Sequence, residues 1–222
     1  MNTTLSSEAR MQRYYAQRAQ EYERIYERPH RQRDIAELKA WLPSLFEDRD
    51  TLEVACGTAY WTPHAAAHCR SWLATDVNEE VLAIARTKAL PEGRVRFARA
   101  DAYALDLEPG RSFDAAFAGF WWSHVPRQRL VAWLAALHER LRPGARVVFI
   151  DNRQVDGDST PLARVDAQGN GWQLRTLADG SQHEVLKNYP TRAEAVTAIG
   201  THARDVEWRE LEHFWTLAYS VP

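Results

Sequence analysis

Three carboxylates recur along the first half of the chain: Glu53, Asp76 and Asp101. Each lies in or just past a short run that reads as a β-strand: Leu52 to Ala55, Ser71 to Thr75, and Arg94 to Ala98. The first strand belongs to Thr51-Leu-Glu-Val-Ala-Cys-Gly-Thr-Ala-Tyr-Trp-Thr62, where a tight turn at Cys56-Gly57-Thr58 leads to a helix opening near Thr62-Pro63. Proline suits a first helical turn, because its missing N–H leaves no hydrogen bond unmade there. Strand, glycine turn and helix N-terminus together aim backbone N–H groups at a ligand. An acid ending the second strand, about 20 residues past such a turn, is where a nucleotide's ribose hydroxyls are held. Ligands of open parallel sheets bind beyond the carboxyl ends of the strands, so the repeated acids mark that rim as a binding edge.

What the turn lacks narrows the ligand. A dinucleotide needs several glycines so that its pyrophosphate can approach the backbone. Only Gly57 is present here, with Ala55 and Ala59 at the flanking places. Glu53 would also repel a pyrophosphate and favour a cationic ligand. S-adenosylmethionine, with a sulfonium, an ammonium and no phosphate, suits these residues better.

On the quoted glycine-turn run, Ala-Thr-Asp-Val-Asn, Arg-Ala-Asp-Ala-Tyr and the run from Phe113 to Ile150, the chain resembles the class I S-adenosylmethionine-dependent methyltransferases, in their small-molecule branch. The resemblance covers most of residues 12–151 and is only architectural beyond. It implies an α/β, Rossmann-like fold: a mostly parallel twisted sheet with an antiparallel final strand and helices on both faces. It implies S-adenosylmethionine as cofactor, S-adenosylhomocysteine as product, and methyl transfer to an O or N nucleophile. By the same resemblance Glu53 holds the methionine amine, directly or through water, while Ala55, Gly57, Thr58 and Thr62 shape the loop round that end. Asp76 and Val77 take the ribose; Asp101, Ala102 and Tyr103 take the adenine. Phe120 lines the cofactor, and Trp121 and Trp122 shape the acceptor pocket. The family usually has a glycine where this chain has Ala59, which bears on how the loop wraps the methionine part.

A fourth strand, Phe113 to Phe117, runs into Ala118-Gly-Phe-Trp-Trp-Ser-His124, beside the glycine turn. An imidazole with an ordinary pKa near 6.5 accepts a proton at neutral pH, which makes His124 the residue for proton transfer. Pocket lining and helix capping remain open for it. Pro126 starts a helix with the stripe Leu130, Leu134, Leu137 and Leu141, and a fifth strand follows from Ala145 to Asp151. Asn78 is placed to cap a helix from Glu79 to Lys88.

Residues 6–28 are polar, with Tyr14, Tyr15, Tyr22 and Tyr26 at helical spacing. An amphipathic helix would lay them on the body. The resemblance implies a lid, in which Tyr15 covers the sulfonium, Arg18 reaches the methionine carboxylate and Tyr14 faces the acceptor. From Arg31 to Phe46 the stripe Ile35, Leu38, Leu42 and Leu45 reads as core. Beyond Asp151 a loop over 152–171 precedes two strands, Trp172 to Leu177 and Gln182 to Lys187, joined through an Asp-Gly pair. Thr191 to Ile199 reads as helix, and Val206 to Leu211 and Phe214 to Tyr219 as closing strands. An extra hairpin of this kind resembles the part that varies with substrate, so Trp172, Arg175, Tyr189 and Trp215 join the acceptor candidates.

With 222 residues and 45% hydrophobic content, the chain buries one sizeable core as one domain. Its divisions are 1–48 (cap), 49–151 (cofactor core), 152–190 (loop and hairpin) and 191–222 (closing elements). A net charge of −2 provides no general attraction to nucleic acid or anionic membrane, so neither is expected as a partner. No apolar run has the length of a bilayer span, and no signal-peptide pattern opens the chain. Two cysteines, Cys56 and Cys69, make a reducing cytoplasm the simplest setting. No metal site is expected: His64 and His68 lie four apart, but Ala65 stands where a zinc helix carries glutamate. The acceptor expected from the tryptophan and tyrosine content is a flat aromatic molecule or a cation held by ring faces. Two alternatives stand beside this reading: a nicotinamide-dependent oxidoreductase and a non-catalytic cofactor-binding scaffold.

Overall fold

The computed structural model describes residues 7–108, 110–201 and 203–222. The first six residues of the expected cap therefore lie outside the described residues. Five strands alternate with helices in the first two thirds of the chain: β1 Asp50–Val54, β2 Ser71–Asp76, β3 Val95–Arg99, β4 Phe113–Gly119 and β5 Leu141–Asn152. The helices are α1 Ser7–Arg18, α2 Gln32–Leu45, α3 Thr62–Ala65, α4 Glu79–Ala85 and α5 Arg127–His138. Later come β6 Arg164–Val165, β7 Gly171–Thr176, β8 Gln182–Leu186, α6 Arg192–Ile199, β9 Arg204–Glu210 and β10 Phe214–Ser220.

Seven strands form one sheet in the order β3-β2-β1-β4-β5-β10-β9. The first four pairings are parallel, and β10 lies antiparallel to both β5 and β9. Strand order reverses between β1 and β4, and a crevice opens there at the carboxyl ends of the strands. This is the expected Rossmann-like arrangement, antiparallel final strand included.

Alternation along the strands builds two cores. Leu52 and Val54, Val147 and Phe149, and Trp215, Leu217 and Tyr219 face α5 and α6, together with Trp133, Leu134 and Leu137. Ala115 and Phe117, Val148 and Ile150, and Phe214 and Ala218 face the other way, against Ile35, Leu38, Leu42 and Phe46. Each large apolar side chain buried this way contributes about 1.5–3 kcal/mol. Among the described residues no helix is long and apolar enough to cross a membrane.

Several elements differ from expectation. The helix after the glycine turn is one turn long and continues as a 3-10 segment, Ala66–His68. The helix α4 ends at Ala85, not Lys88. Asn78 sits at its N-cap without a side-chain bond; instead the Asp76 Oδ1 accepts from the Asn78 N–H at 2.9 Å. Leu141 already begins β5, so the stripe of α5 stops a turn earlier. The hairpin β7–β8 gains a third strand, β6, from the expected loop. A capping box at Thr191 and Glu194 starts α6 where the reading placed it.

Candidate active site

Two cavities meet at the crevice. The smaller lies over the carboxyl ends of β1, β2 and β4 and is lined by Ala55, Gly57, Asp76, Val77, Asp101 and Ala102, among others. One face of α1 roofs it: Glu8, Met11, Gln12 and Tyr15 recur at helical spacing. The larger, about 490 Å³, opens between α1, the segment that follows it and the β7–β8 hairpin. Tyr15, Tyr22, Phe120 and His124 line both.

The glycine turn explains the loop's shape. Ala55, Gly57 and Ala59 all take left-handed φ, at 54°, 56° and 60°, and Phe120 does so at 61°. The alanines thus adopt the conformation a glycine would, at about 1–2 kcal/mol each. The Gly57 N–H donates to Asp76 Oδ2 at 3.0 Å, so one carboxylate ties the turn to the end of β2. Burial raises the Asp76 carboxyl above its ordinary value, opposed by its backbone hydrogen bonds. Asp101 Oδ1 accepts from Tyr103 N at 2.7 Å and Ala104 N at 3.2 Å. A carboxylate offers about four lone-pair sites, so both acids can accept further hydrogen bonds from a ligand. Tyr103 and Trp121 line the same cleft, and Tyr103 Oη and Trp121 Nε1 are buried without a partner among the described residues. Orphaned polar atoms in a cleft fit a polar ligand.

His124 is 5% exposed. Its Nδ1 lies 2.6 Å from the Leu186 carbonyl, which only accepts, so Nδ1 carries the proton. The Nε2 lone pair then takes the Tyr15 hydroxyl at 2.8 Å. Burial, joined by the charges of Lys187 and Arg175, pushes the ring down to about 3, against the opposing pull of Asp151. The ring is neutral at neutral pH, far below the ordinary value assumed from sequence.

Behind it stands a network that sequence reading did not single out. Lys187 Nζ lies 2.9 Å from Asp151 Oδ1 and donates to Ser123 Oγ at 2.6 Å. Ser123 N and Oγ donate to Asp151 at 2.9 and 3.0 Å. All three side chains are buried. Burial alone would raise the Asp151 carboxyl, but Lys187 and these donors hold it below the carboxylate range. Its only sequence signal was a lysine ending an apolar strand.

The structure brings Tyr15, Ala55, Gly57, Asp76, Val77, Asp101, Ala102, Tyr103, Phe120 and His124 onto the smaller cavity, together with Trp121, which the sequence reading had given to the acceptor pocket. Tyr14, Arg18, Arg175 and Tyr189 line the larger one. Six residues line neither. Glu53 points from β1 into the α2 and α3 core, where its Oε2 accepts from Thr62 Oγ1 at 2.8 Å and Trp72 Nε1 at 2.7 Å. Burial pushes its carboxyl up to about 7. It and Thr62 therefore serve the core below the loop. Thr58 donates to Glu23 Oε1 at 2.7 Å, and Glu23 also pairs with Lys88, tying the cap to the segment after α4. Trp122 and Trp215 pack edge to face in the α5-side core. Trp172 donates to Asp166 Oδ2 at 3.0 Å under the Arg164 guanidinium.

Among the described residues, one cluster has the composition of metal ligands: His30, Asp158 and His213. Asp158 Oδ1 already accepts from Arg28 Nη1 at 2.7 Å and His30 Nε2 at 2.8 Å, and Oδ2 from Arg31 Nε at 3.0 Å. Two guanidiniums occupy the place a cation would take.

Comparison with known proteins follows the same lines. Residues 51–144 match the model of a methyltransferase domain. No curated protein matches the sequence. The chain is similar to the DhpI–SAM–HEP complex at 26% identity and a TM-score of 0.78, covering 100% of both chains. It is similar to the DhpI–SAH complex at 25% identity and a TM-score of 0.74, covering 96% of this chain and 95% of that one. The N-methyltransferase NodS from Bradyrhizobium japonicum WM9, in complex with S-adenosyl-l-homocysteine, shares the fold: 16% identity, a TM-score of 0.61, and coverage of 90% and 91%. The methyltransferase-domain match over residues 51–144, the sheet order and the whole-chain likeness to the DhpI complexes with SAM and SAH together support a class I S-adenosylmethionine-dependent methyltransferase.

Proposed function

We propose that the chain transfers a methyl group from S-adenosylmethionine, bound in the smaller cavity, to an oxygen or nitrogen nucleophile of a small molecule in the larger one. The observation that carries this reading is the shared wall of Tyr15, Tyr22, Phe120 and His124, where two ligands would meet. Bound S-adenosylmethionine supplies an electrophilic methyl group on a sulfonium. Asp76 would accept from the ribose hydroxyls, and Asp101, Ala102 and Tyr103 would hold the adenine, with Tyr103 Oη and Trp121 Nε1 finding their missing partners. Gly57 would let the backbone approach the methionine end, and Arg18 would reach its carboxylate from the cap. The DhpI complexes with SAM and with SAH, both similar to this chain, support the choice of ligand.

Catalysis would be alignment above all. The helix α1 closes the cleft to water, and the Tyr15–His124 hydrogen bond latches it to the turn after β4. With its lone pair engaged and its basicity low, His124 positions the wall and is not the neutral-pH base expected from sequence. Isothermal titration of S-adenosylmethionine, S-adenosylhomocysteine and NAD tests the reading. The first two should bind, and the double substitution of Asp76 and Asp101 by Ala should weaken them at least ~100-fold, each acid contributing about 1.5–3 kcal/mol as a charged acceptor. Undiminished binding in that variant, or binding of NAD alone, would refute it.

A further inference from the structure

We infer that the methyl acceptor is an oxyanion, a carboxylate or a phosphoryl-type acid, held in the larger cavity by Arg175 and methylated on its charged oxygen. This rests on the methyl-transfer reading above and specifies its substrate class. Arg18, Arg24, Arg28, Arg31, Arg175 and Lys187 line that cavity, against two acids, Glu21 and Asp158. Asp158 is consumed by Arg28, Arg31 and His30, Glu21 lies beside Arg24 at 3.6 Å, and Lys187 is itself taken up by the buried Asp151. Among the described residues, neither Arg175 nor Arg18 is paired with a carboxylate. Arg175 is instead steered by a neutral group, Gln173 Oε1, which accepts from its Nε at 3.1 Å and Nη2 at 2.7 Å. Gln173 is itself buried and fixed by Thr160 O and Tyr189 Oη. A half-buried guanidinium aimed by a fixed amide and lacking a counter-ion is prepared for an anion from outside.

The ring faces tell against a cationic acceptor. Arg18 already lies over Tyr14 and Tyr22 at 5.9 and 5.6 Å, and Arg175 over Tyr14 at 6.0 Å. The places a cation would take on these rings are filled, and the same charges would repel it. The chemistry agrees with the geometry of His124. A hydroxyl or ammonium acceptor must lose a proton, and His124 has its lone pair engaged by Tyr15. An oxyanion has no proton to lose: its lone pair forms the new C–O bond while the C–S pair stays on sulfur. The products are a methyl ester and a neutral thioether, with no proton released.

The test uses the full chain saturated with S-adenosylhomocysteine and four probes that share one ring: benzoate, phenyl phosphate, benzyl alcohol and benzylamine. In titration calorimetry one or both oxyanions should bind while the alcohol and the amine do not, and their ranking distinguishes carboxylate from phosphoryl recognition. Arg175→Gln should weaken the bound oxyanion about 10–100-fold, as loss of a charge-assisted pair does, while Arg175→Lys recovers part. Both variants should bind S-adenosylhomocysteine like the unmodified protein, which also shows that they fold. Raising the salt should weaken the oxyanion and leave S-adenosylhomocysteine nearly unchanged. Turnover of the bound oxyanion in weak buffer at pH 8 should release no proton. Tighter binding of the alcohol or amine, an Arg175→Gln variant with undiminished oxyanion affinity, or one proton released per turnover would overturn the inference. Failure of S-adenosylhomocysteine itself to bind would instead overturn the methyl-transfer reading.

Discussion

Replacing Lys187 by Met is the sharpest probe of how the site is held. Methionine keeps the length of the stem and removes the charge, leaving Asp151 buried without its counter-ion. At the observed separation of 2.9 Å, two unit charges attract by about 6 kcal/mol at an effective dielectric of about 20. The ammonium's own desolvation, several kcal/mol, offsets part of that attraction. Asp151 also keeps four donors in the variant: Ser123 N at 2.9 Å, Ser123 Oγ at 3.0 Å, Asn152 N at 2.7 Å and Asn152 Nδ2 at 3.4 Å. A loss of about 3–5 kcal/mol is therefore expected, as for other buried pairs deprived of one partner. For a chain of this length it is a fall in Tm of roughly 6–20 °C. The pH dependence supplies the sign. In the intact protein the Asp151 carboxyl is held below its unfolded value of about 3.9, so its contribution is present above that pH and lost as pH falls through the folded value. In the variant burial is opposed by those hydrogen bonds alone and the folded value rises above about 3.9, so its deficit is full at high pH and shrinks as Asp151 takes up a proton. Urea unfolding at pH 8 and pH 5 should show a larger gap at pH 8. Adding Asp151→Asn should recover part of the loss, because a neutral pair leaves no buried charge. A cost below about 1 kcal/mol at pH 8, or a gap that does not narrow at pH 5, would refute the reasoning.

Other outcomes follow from the same structure. Because the His124 ring is pushed down to about 3 in the folded chain, the unfolded chain binds the extra proton below about 6.5. Stability should fall by about 2 kcal/mol between pH 7 and pH 5 on this account, and His124→Gln should flatten that segment of the unfolding curve. Glu53 behaves in the opposite sense: its folded value of about 7 lies above the unfolded one, so its penalty appears as pH rises from about 4.5 through 7. Glu53→Gln should accordingly gain about 1–3 kcal/mol at pH 8 and nearly nothing at pH 5, measured by thermal unfolding. At Gly57 a Cβ would meet only Tyr22 Cε1, at 3.9 Å. Gly57→Ala should therefore cost only the left-handed backbone, about 1–2 kcal/mol by urea unfolding, while S-adenosylhomocysteine binding falls at least tenfold in calorimetry because the methyl enters the cleft. Intact affinity would place the cofactor elsewhere.

Residues whose role is set within a few positions of sequence were legible. Asp76 ends β2 and Asp101 lies two residues past β3, and their carboxylates accept from the backbone of Asn78, Tyr103 and Ala104, two or three residues on. Ala55 and Ala59 read as departures from a glycine pattern, yet the backbone takes the glycine conformation there regardless. Legibility ended where meaning depends on strands far apart. The face on which Glu53 emerges was open until β1 was paired with β2, which puts it beside Trp72. Lys187 and Asp151 are 36 residues apart and meet only through the hairpin packing onto the turn after β4. The tryptophans misled for a related reason: both are large enough to fill a core, and strand alternation turned Trp215 into it while the 3-10 turn after β4 turned Trp122 the same way. The pocket's charge was hidden because its arginines are scattered from Arg18 to Arg175 among acids that pair with only some of them.

The clasp of Arg28 and Arg31 on Asp158 joins segments 127 residues or more apart. It makes the entrance to the larger cavity a composite of two distant stretches of gene. An engineer who exchanges residues 152–190 for those of a cousin, to change the acceptor, would strand two arginines beside a foreign loop. Such a chimera needs residues 24–31 from the same donor, so the two stretches form one transferable cassette.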